Sequence, residues 1–316
     1  MAALATVVFA SCSNDDELAQ NNYPADNVVR IMTSVDGMNT RASYGSSTAK
    51  LSSFGFCINN ASNAKYTYDN IKVTQEGSNW NPATQMLWQN STTAVDILAY
   101  APYQDENNGI FGKTDYAFSV QEDQSKADDY SSDLIVYKQT GFTPGLELNT
   151  NKAVEVSFTH LLSQLNLTIE LRDQFNQDEK NPVTAGFVTD VKVNGTIISS
   201  KVDFAAASIG VQVDGTQEAT AITPETTEFK AAGKTTDHAA FNYSAIVIPQ
   251  TVTTGNFSIS FKVNGTDYIW TATSDVKFVS GMKHELHLLV GKDVVQGGTI
   301  SATPWGDGGT GSLETD

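Results

Sequence analysis

Short runs of alternating apolar and polar residues, separated by turn residues, recur along almost the whole chain. In the first run, residues 28–35, alternation places four side chains on one face: Val29, Ile31, Thr33 and Val35. A period of two residues is typical of β-strands, whereas a helix repeats its apolar positions every three or four residues. No persuasive alternation of strands with helices appears, so the pattern disfavours a parallel α/β sheet and predicts an all-β fold.

The chain has 316 residues, which is long for one β-sandwich and sufficient for two. We therefore predict two successive sandwiches that divide near residues 145–155. Asn-Gly at 194–195 and at 264–265 predicts two hairpin turns, because both central residues of a type I′ turn need positive φ. For residues 159–164 a helical turn is the alternative to a strand.

The charge balance excludes one class of partner. The formal net charge is −17, and the chain has three arginines, Arg30, Arg41 and Arg172. A nucleic-acid binder needs a basic face that replaces counterions along the phosphates, so we expect no nucleic-acid partner. The acidity favours solubility outside the cell.

The first twelve residues have the pattern of a bacterial lipoprotein signal. A short apolar run and the small residues Ala10 and Ser11 precede Cys12, and polar residues begin directly after it. Cleavage before Cys12 would leave this residue as the lipidated N-terminus. The basic start of such a signal is missing, which leaves open whether Met1 is the true start. The alternative is a buried strand with an incidental cysteine.

We find no motif that predicts catalysis or a bound metal. His284 and His287 lie close in sequence, but on a strand they would point to opposite faces. The acidic clusters lack the spacing of an EF-hand loop, and no nucleophile motif, P-loop or dinucleotide turn is present. We therefore expect no enzyme, no catalytic residues, no cofactor and no metal. A glycosidase stays open on this test alone, because a carboxylate pair in a β protein cannot be recognised from sequence.

Five segments, taken in order, carry a resemblance to a known family. They are the lipoprotein start with the later GMNTRA at 37–42, VDILAYAPY at 95–103, VQEDQS at 120–125 with SDLIVY at 132–137, VEVSFTHLLSQL at 154–165, and the final ATPW at 302–305. Together they resemble the fimbrillin family, the pilins of type V fimbriae of anaerobic Gram-negative bacteria.

The resemblance implies two tandem transthyretin-like β-sandwich domains, export as a lipoprotein and proteolytic maturation at the cell surface. It divides the chain into a signal with its lipidated cysteine (1–12), a tether with a removable strand (13–41), an N-terminal domain (42–152) and a C-terminal domain (153–316). The implied location is the outer membrane, with the lipid on Cys12 as anchor. The implied partners are other fimbrial subunits, and the implied role is cell adhesion through an unidentified receptor.

Removal of the first strand would create a binding groove. A strand that completes the first sandwich would bury Val29, Ile31 and Val35, each contributing about 1.5–3 kcal/mol as an upper estimate. Its loss leaves unpaired backbone groups to which a segment of another subunit can add. Because Arg41 lies in the loop after the strand, we predict cleavage between Arg41 and Ala42 by an Arg-specific surface protease. The alternative is that Arg41 is a surface charge only.

The sequence offers one candidate donor of the added strand at the C-terminus. Stalk subunits of the family donate a C-terminal segment, and here residues 294–305 are available. Their apolar residues are Val294, Val295, Ile300, Ala302 and Trp305. Gly297 and Gly298 interrupt this segment, which leaves a stalk, tip or anchor position open.

A second function competes with the fimbrial one. A surface lipoprotein that binds glycans for nutrient capture would present aromatic rings as a sugar platform. The candidates for that platform are Trp80, Trp88, Trp270 and Trp305.

Overall fold

The computed structural model describes residues 22–35, 50–105, 109–126, 128–175, 182–233, 238–298 and 300–305. Nearly all regular structure in these ranges is β-strand, which confirms the predicted all-β fold. The strands are β1 (Ile31–Val35), β2 (Ser53–Asn59), β3 (Tyr68–Glu76), β4 (Asn79–Pro82), β5 (Val95–Ala101), β6 (Tyr116–Ser119), β7 (Ile135–Phe142), β8 (Val154–His160), β9 (Ser163–Leu171), β10 (Val188–Asn194), β11 (Ser199–Asp203), β12 (Gly210–Val213), β13 (Glu225–Lys230), β14 (Ala239–Val247), β15 (Thr251–Val252), β16 (Ser258–Val263), β17 (Thr266–Thr271), β18 (Val276–Lys277), β19 (Met282–Val290), β20 (Val295–Gly297) and β21 (Ser301–Pro304).

Helical structure in the described ranges is limited to short pieces. One α-helix, α1 (Pro144–Glu147), follows β7, and 3-10 turns occupy Ala64–Tyr66, Ile110–Gly112 and Asp173–Phe175. Across the same ranges, none of the helices has the length and apolar character that a membrane crossing requires.

The described strands form five sheets. The first has seven strands in the order β1-β8-β7-β5-β2-β3-β4, and the second has the order β13-β14-β9-β19-β20, with β21 also paired to β19. Two smaller sheets have the orders β10-β16-β17 and β12-β11-β6, and β15 pairs with β18.

Two strands pair with strands on the other side of the predicted domain boundary between residues 152 and 153. Strand β8 follows that position but pairs with β1 and β7 of the first sheet. Strand β6 precedes it but pairs with β11, far along the chain. The division into domains at this residue stays a prediction, and the two halves share strands on either side of it.

The first sheet contributes side chains to a buried cluster on each of its faces. Phe54, Phe56 and Ile58 of β2 belong to one cluster, and Cys57 between them belongs to the other. This is the alternation expected of a strand buried on both sides. Burial raises the pKa of the Cys57 thiol, so it stays protonated and packs as a small apolar side chain.

The cluster that contains Cys57 joins the first sheet to the rest of the chain. The rings of Tyr100, Tyr116 and Phe204 meet there, with centroids 4.9–5.8 Å apart. Beside them the ammonium of Lys138, on β7, donates to the carbonyls of Phe204 and Ala206 at 2.7 Å each. This lysine therefore ties the first sheet to the turn after β11, and its desolvation lowers its pKa.

The two Asn-Gly pairs have different conformations. Asn264 and Gly265 both have positive φ and join β16 to β17, which confirms the predicted hairpin. The predicted hairpin at 194–195 is wrong, because β10 ends there and the chain passes to β11 in another sheet. A Cβ on Gly195 would collide with the backbone of Asn256, so this glycine permits a close approach of two chain segments.

The alternative of a helical turn at residues 159–164 is wrong as well. Strand β8 continues to His160, and β9 begins at Ser163 after the buried pair Leu161-Leu162.

Replacement of Lys138 by methionine tests the link between the halves. The substitution keeps an unbranched chain but leaves the carbonyls of Phe204 and Ala206 without their charged donor. We expect a loss of about 1–3 kcal/mol in the free energy of unfolding, measured by chemical denaturation. The exposed Lys201 of β11 provides the control, since Lys201→Met should change stability by less than about 0.5 kcal/mol. Equal effects of the two variants would contradict the link.

Candidate functional site at the N-terminal strand

Strand β1 forms one end of the first sheet. It pairs in parallel with β8, in a register that runs from Ile31 opposite Val154 to Val35 opposite Phe158. Just before the strand, the amide of Val154 donates to the carbonyl of Arg30 at 2.8 Å. One edge of the N-terminal segment is therefore bonded to β8 from Arg30 to Val35.

The other edge of the same segment is also bonded. Val28 forms an antiparallel bridge with Leu87. The amide of Val29 donates to the carbonyl of Met86 at 3.0 Å, and the amide of Trp88 donates to the carbonyl of Asn27 at 2.8 Å. We call the space between residues 86–88 and β8 the N-terminal slot, and residues 27–35 fill it.

The inward side chains of the segment are buried. Val29 is 3% exposed and Ile31 is 6% exposed, in the same apolar cluster as Met86, Trp88 and Phe158. The indole of Trp88 stacks on the ring of Phe142, with centroids 5.7 Å apart.

The remaining two predicted inward residues lie further along β1. Thr33 is half-buried, and its hydroxyl is buried with no hydrogen-bond partner among the described residues. Val35 ends the strand, and its side chain lies outside the described residues.

The outward side chains of the segment are polar or exposed. The guanidinium of Arg30 contacts the carboxylate of Asp26 at 2.6 Å, and this bond lowers the pKa of Asp26 to about 2. Met32 is 42% exposed. The hydroxyls of Ser34 and Ser157 lie 3.1 Å apart, across the pair β1–β8. The segment is therefore amphipathic, with its apolar face toward the first sheet's core.

Three predicted functional residues lie outside the described residues. They are Cys12, the predicted lipidation site, and Arg41 and Ala42, the predicted cleavage site. Their roles stay predictions.

The C-terminal segment is paired within its own chain. Both β20 and β21 bond to β19. Of the five residues predicted to donate, Val294 is 45% exposed, whereas Val295, Ile300 and Ala302 are half-buried.

Trp305, the last of these five residues, is held by several contacts. It is 2% exposed, and its indole stacks on the imidazole of His160 with centroids 4.0 Å apart. Its amide donates to the carbonyl of Gly281 at 2.8 Å. His160 in turn contacts the buried carboxylate of Asp133 at 2.9 Å. Trp305 thus joins the C-terminal segment to the end of β8.

The four tryptophans do not form one exposed platform. Trp88 and Trp305 are buried. Trp80 packs edge-on against Phe54 with centroids 5.1 Å apart, and Trp270 packs against Phe257 at 6.2 Å.

The two neighbouring histidines of β19 have different environments. His284 is buried and accepts a hydrogen bond from the amide of Val279 at 3.1 Å, and burial lowers its pKa. His287 lies on the exposed face. Within the described ranges, no three His, Cys, Asp or Glu side chains are arranged to hold a metal ion.

Comparison with known proteins identifies a family and a fold. A family model described as fimbrillin-like matches residues 40–305. Among solved structures, a fimbrial protein from Bacteroides vulgatus is similar at 15% identity and a TM-score of 0.56, covering 88% of this chain and 99% of that one. A candidate cell adhesion protein from Bacteroides ovatus is similar at 15% identity and a TM-score of 0.61, covering 88% and 97%. A second, from Bacteroides uniformis, has 18% identity and a TM-score of 0.56, covering 89% and 99%. No curated protein matches the sequence.

Adjacent residues of β1 provide a matched pair of substitutions. Ile31→Ala removes buried apolar volume from the slot, so we expect it to cost about 2–5 kcal/mol of unfolding free energy. Met32→Ala changes the exposed face of the same strand and should cost about 0.5 kcal/mol. Chemical denaturation of the two variants measures both values. Similar losses would contradict the account, because they would show that the inward face of β1 stabilises the fold no more than its outward face.

Proposed function

The chain belongs to the fimbrillin-like family, and on that premise we propose that it is a subunit of a type V fimbria that acts in cell adhesion. It is exported as a lipoprotein through Cys12, matures at the cell surface by cleavage between Arg41 and Ala42, and assembles by β-strand addition. Its activity is assembly with other subunits and not catalysis. The proposed architecture is a pair of tandem transthyretin-like sandwiches.

The observation that carries this proposal is the backbone pairing of the N-terminal segment, in which residues 27–29 bond to residues 86–88 and residues 30–35 bond to β8. A segment at the start of the chain supplies a strand to the first sheet and two inward apolar side chains, Val29 and Ile31. A cut at Arg41–Ala42 lies beyond the end of β1, so it would separate this whole segment from the subunit. The strand is then held by non-covalent contacts alone.

Loss of the segment would leave a specific acceptor. The amides of Trp88 and Val154 lose the carbonyls to which they donate, and Trp88 and Phe158 lose apolar cover. Exposing such groups together is unfavourable, so an extended chain that restores both sets of contacts binds there. The geometry of the slot requires an occupant with apolar side chains at the positions of Val29 and Ile31.

The bonding of the segment also supports the choice of cleavage site. A protease needs extended, unpaired chain. Arg30 fails this condition, because its carbonyl accepts from Val154 and its guanidinium contacts Asp26. Arg41 follows the end of the strand and is the remaining arginine of the N-terminal region.

In this proposal, the pairing of the C-terminal segment distinguishes a stalk subunit from a terminal subunit. To act as a donor, residues 294–305 must leave β19, and Trp305 must leave its stack on His160. A stalk subunit makes this exchange, whereas a terminal subunit keeps the segment on its own sheet.

Cleavage is tested by N-terminal sequencing of surface-shed protein. We expect the mature chain to begin at Ala42, and Arg41→Gln to block the processing. Arg30→Gln is the control, and it should leave the new terminus unchanged. A mature chain that begins at Ser13, or equal processing of Arg41→Gln, would overturn this step.

The acceptor is tested by peptide competition. A synthetic peptide of residues 27–35, NVVRIMTSV, should bind the cleaved subunit and suppress formation of heat-resistant, high-mass ladders. The same peptide with Ile31→Asp places a charge at a buried position, so it should be at least about tenfold less effective. If both peptides suppress the ladders equally, or neither does, assembly does not use the slot.

A further inference from the structure

A group of ionisable side chains on the second sheet has no place in the proposed assembly. Glu170 of β9 contacts two histidines, one through each carboxylate oxygen. Its Oε1 meets Nδ1 of His238, and its Oε2 lies 2.8 Å from Nε2 of His287. The other ring nitrogen of His238, Nε2, lies 2.9 Å from a carboxylate oxygen of Asp173.

These four residues come from separate elements. Glu170 lies near the end of the central strand β9, and Asp173 lies in the 3-10 turn that follows it. His287 is on β19, which pairs with β9 on one side. His238 directly precedes β14, which pairs with β9 on the other side. The cluster therefore spans the three adjacent strands β14, β9 and β19.

The geometry at His238 matches the charged form of the imidazole. A neutral ring has one N–H and one lone pair, so it can donate to only one of two carboxylates. The imidazolium donates from both nitrogens, and both nitrogens of His238 face carboxylate oxygens. Consistent with this, the hydrogen bond to Glu170 is the main cause that raises the pKa of His238.

Other charged groups near the cluster have partners of their own. Glu285 of β19 accepts from Asn166, Glu228 of β13 pairs with Lys230, and the guanidinium of Arg172 donates to Gln296. Among the described residues, no lysine or arginine forms an ion pair with Glu170 or Asp173. In the described ranges, the ion-pair partners of these two carboxylates are therefore histidines.

We propose that His238, His287, Glu170 and Asp173 form a pH-operated brace that ties β14 and β19 to β9. The brace is closed when the imidazole of His238 is protonated, so that it donates to Glu170 and Asp173 at once, and it is loosened when this ring is neutral. Because the pKa of His238 is raised in the folded chain, its contribution is fully present below the unfolded value of about 6.5. The contribution is lost as pH rises through the folded value.

The experiment combines proton NMR of the histidine rings with thermal unfolding between pH 5.5 and 8.5. In the full chain, we expect the titration midpoint of His238 to fall in Glu170→Gln, because the main partner of the imidazolium loses its charge. We also expect the difference in melting temperature between the wild type and His238→Gln to grow in favour of the wild type as pH falls. Over this range the difference should change by roughly 2 °C.

Lys230→Gln is the matched control, because it removes a basic side chain from the same sheet without touching the cluster. Its melting temperature should differ from that of the wild type by a constant amount. An unmoved His238 midpoint in Glu170→Gln would overturn the proposal. So would a constant gap for His238→Gln, which is the result of a purely structural role.

Discussion

The structure of the first sheet depends on backbone hydrogen bonds from both edges of the N-terminal segment, with residues 30–35 bonded on one edge and residues 27–29 on the other. On one side these bonds lead to β8 and on the other to residues 86–88. Such a segment does more than cover an exposed edge, because it satisfies groups on two separate parts of the chain at once. Its inward residues, Val29 and Ile31, add apolar burial to that pairing.

The contacts that join the two halves of the chain are made by residues outside this segment. Among the described side chains of the N-terminal segment, Val29 and Ile31 belong to one of the two buried clusters of the first sheet and none belongs to the other. The other cluster, with Tyr100, Tyr116 and Phe204, joins that sheet to the later strands and is reinforced by Lys138. At the opposite end, Trp305 binds the C-terminal segment to His160. Loss of the first strand therefore leaves the contacts between the halves in place.

Much of the fold follows from local patterns in the sequence. Alternation identifies residues 28–35 and the two faces of β2, because successive side chains of a strand point to opposite faces and apolar residues therefore recur at every second position. Strand β13, with the sequence ETTEFK, gives little signal in the sequence, since it is a polar edge strand and its side chains alternate only weakly. The contact of Val28 with Leu87 also has no local signal, although Met86-Leu87-Trp88 is an apolar run between polar residues. The pairing of β8 with β1 depends on contacts distant in sequence, and a division of the chain by length misses it.

Amide hydrogen exchange at the N-terminal slot measures most directly whether the backbone groups of the slot depend on residues 27–35 for their hydrogen bonds. The amides of Val154 and Trp88, which donate to Arg30 and Asn27, report on the two edges separately. In the subunit that lacks residues up to Arg41, the account predicts rapid exchange at both amides, with protection restored in the assembled fibre. Protection that survives removal of the segment in the isolated subunit, or that stays absent in the fibre, would contradict it.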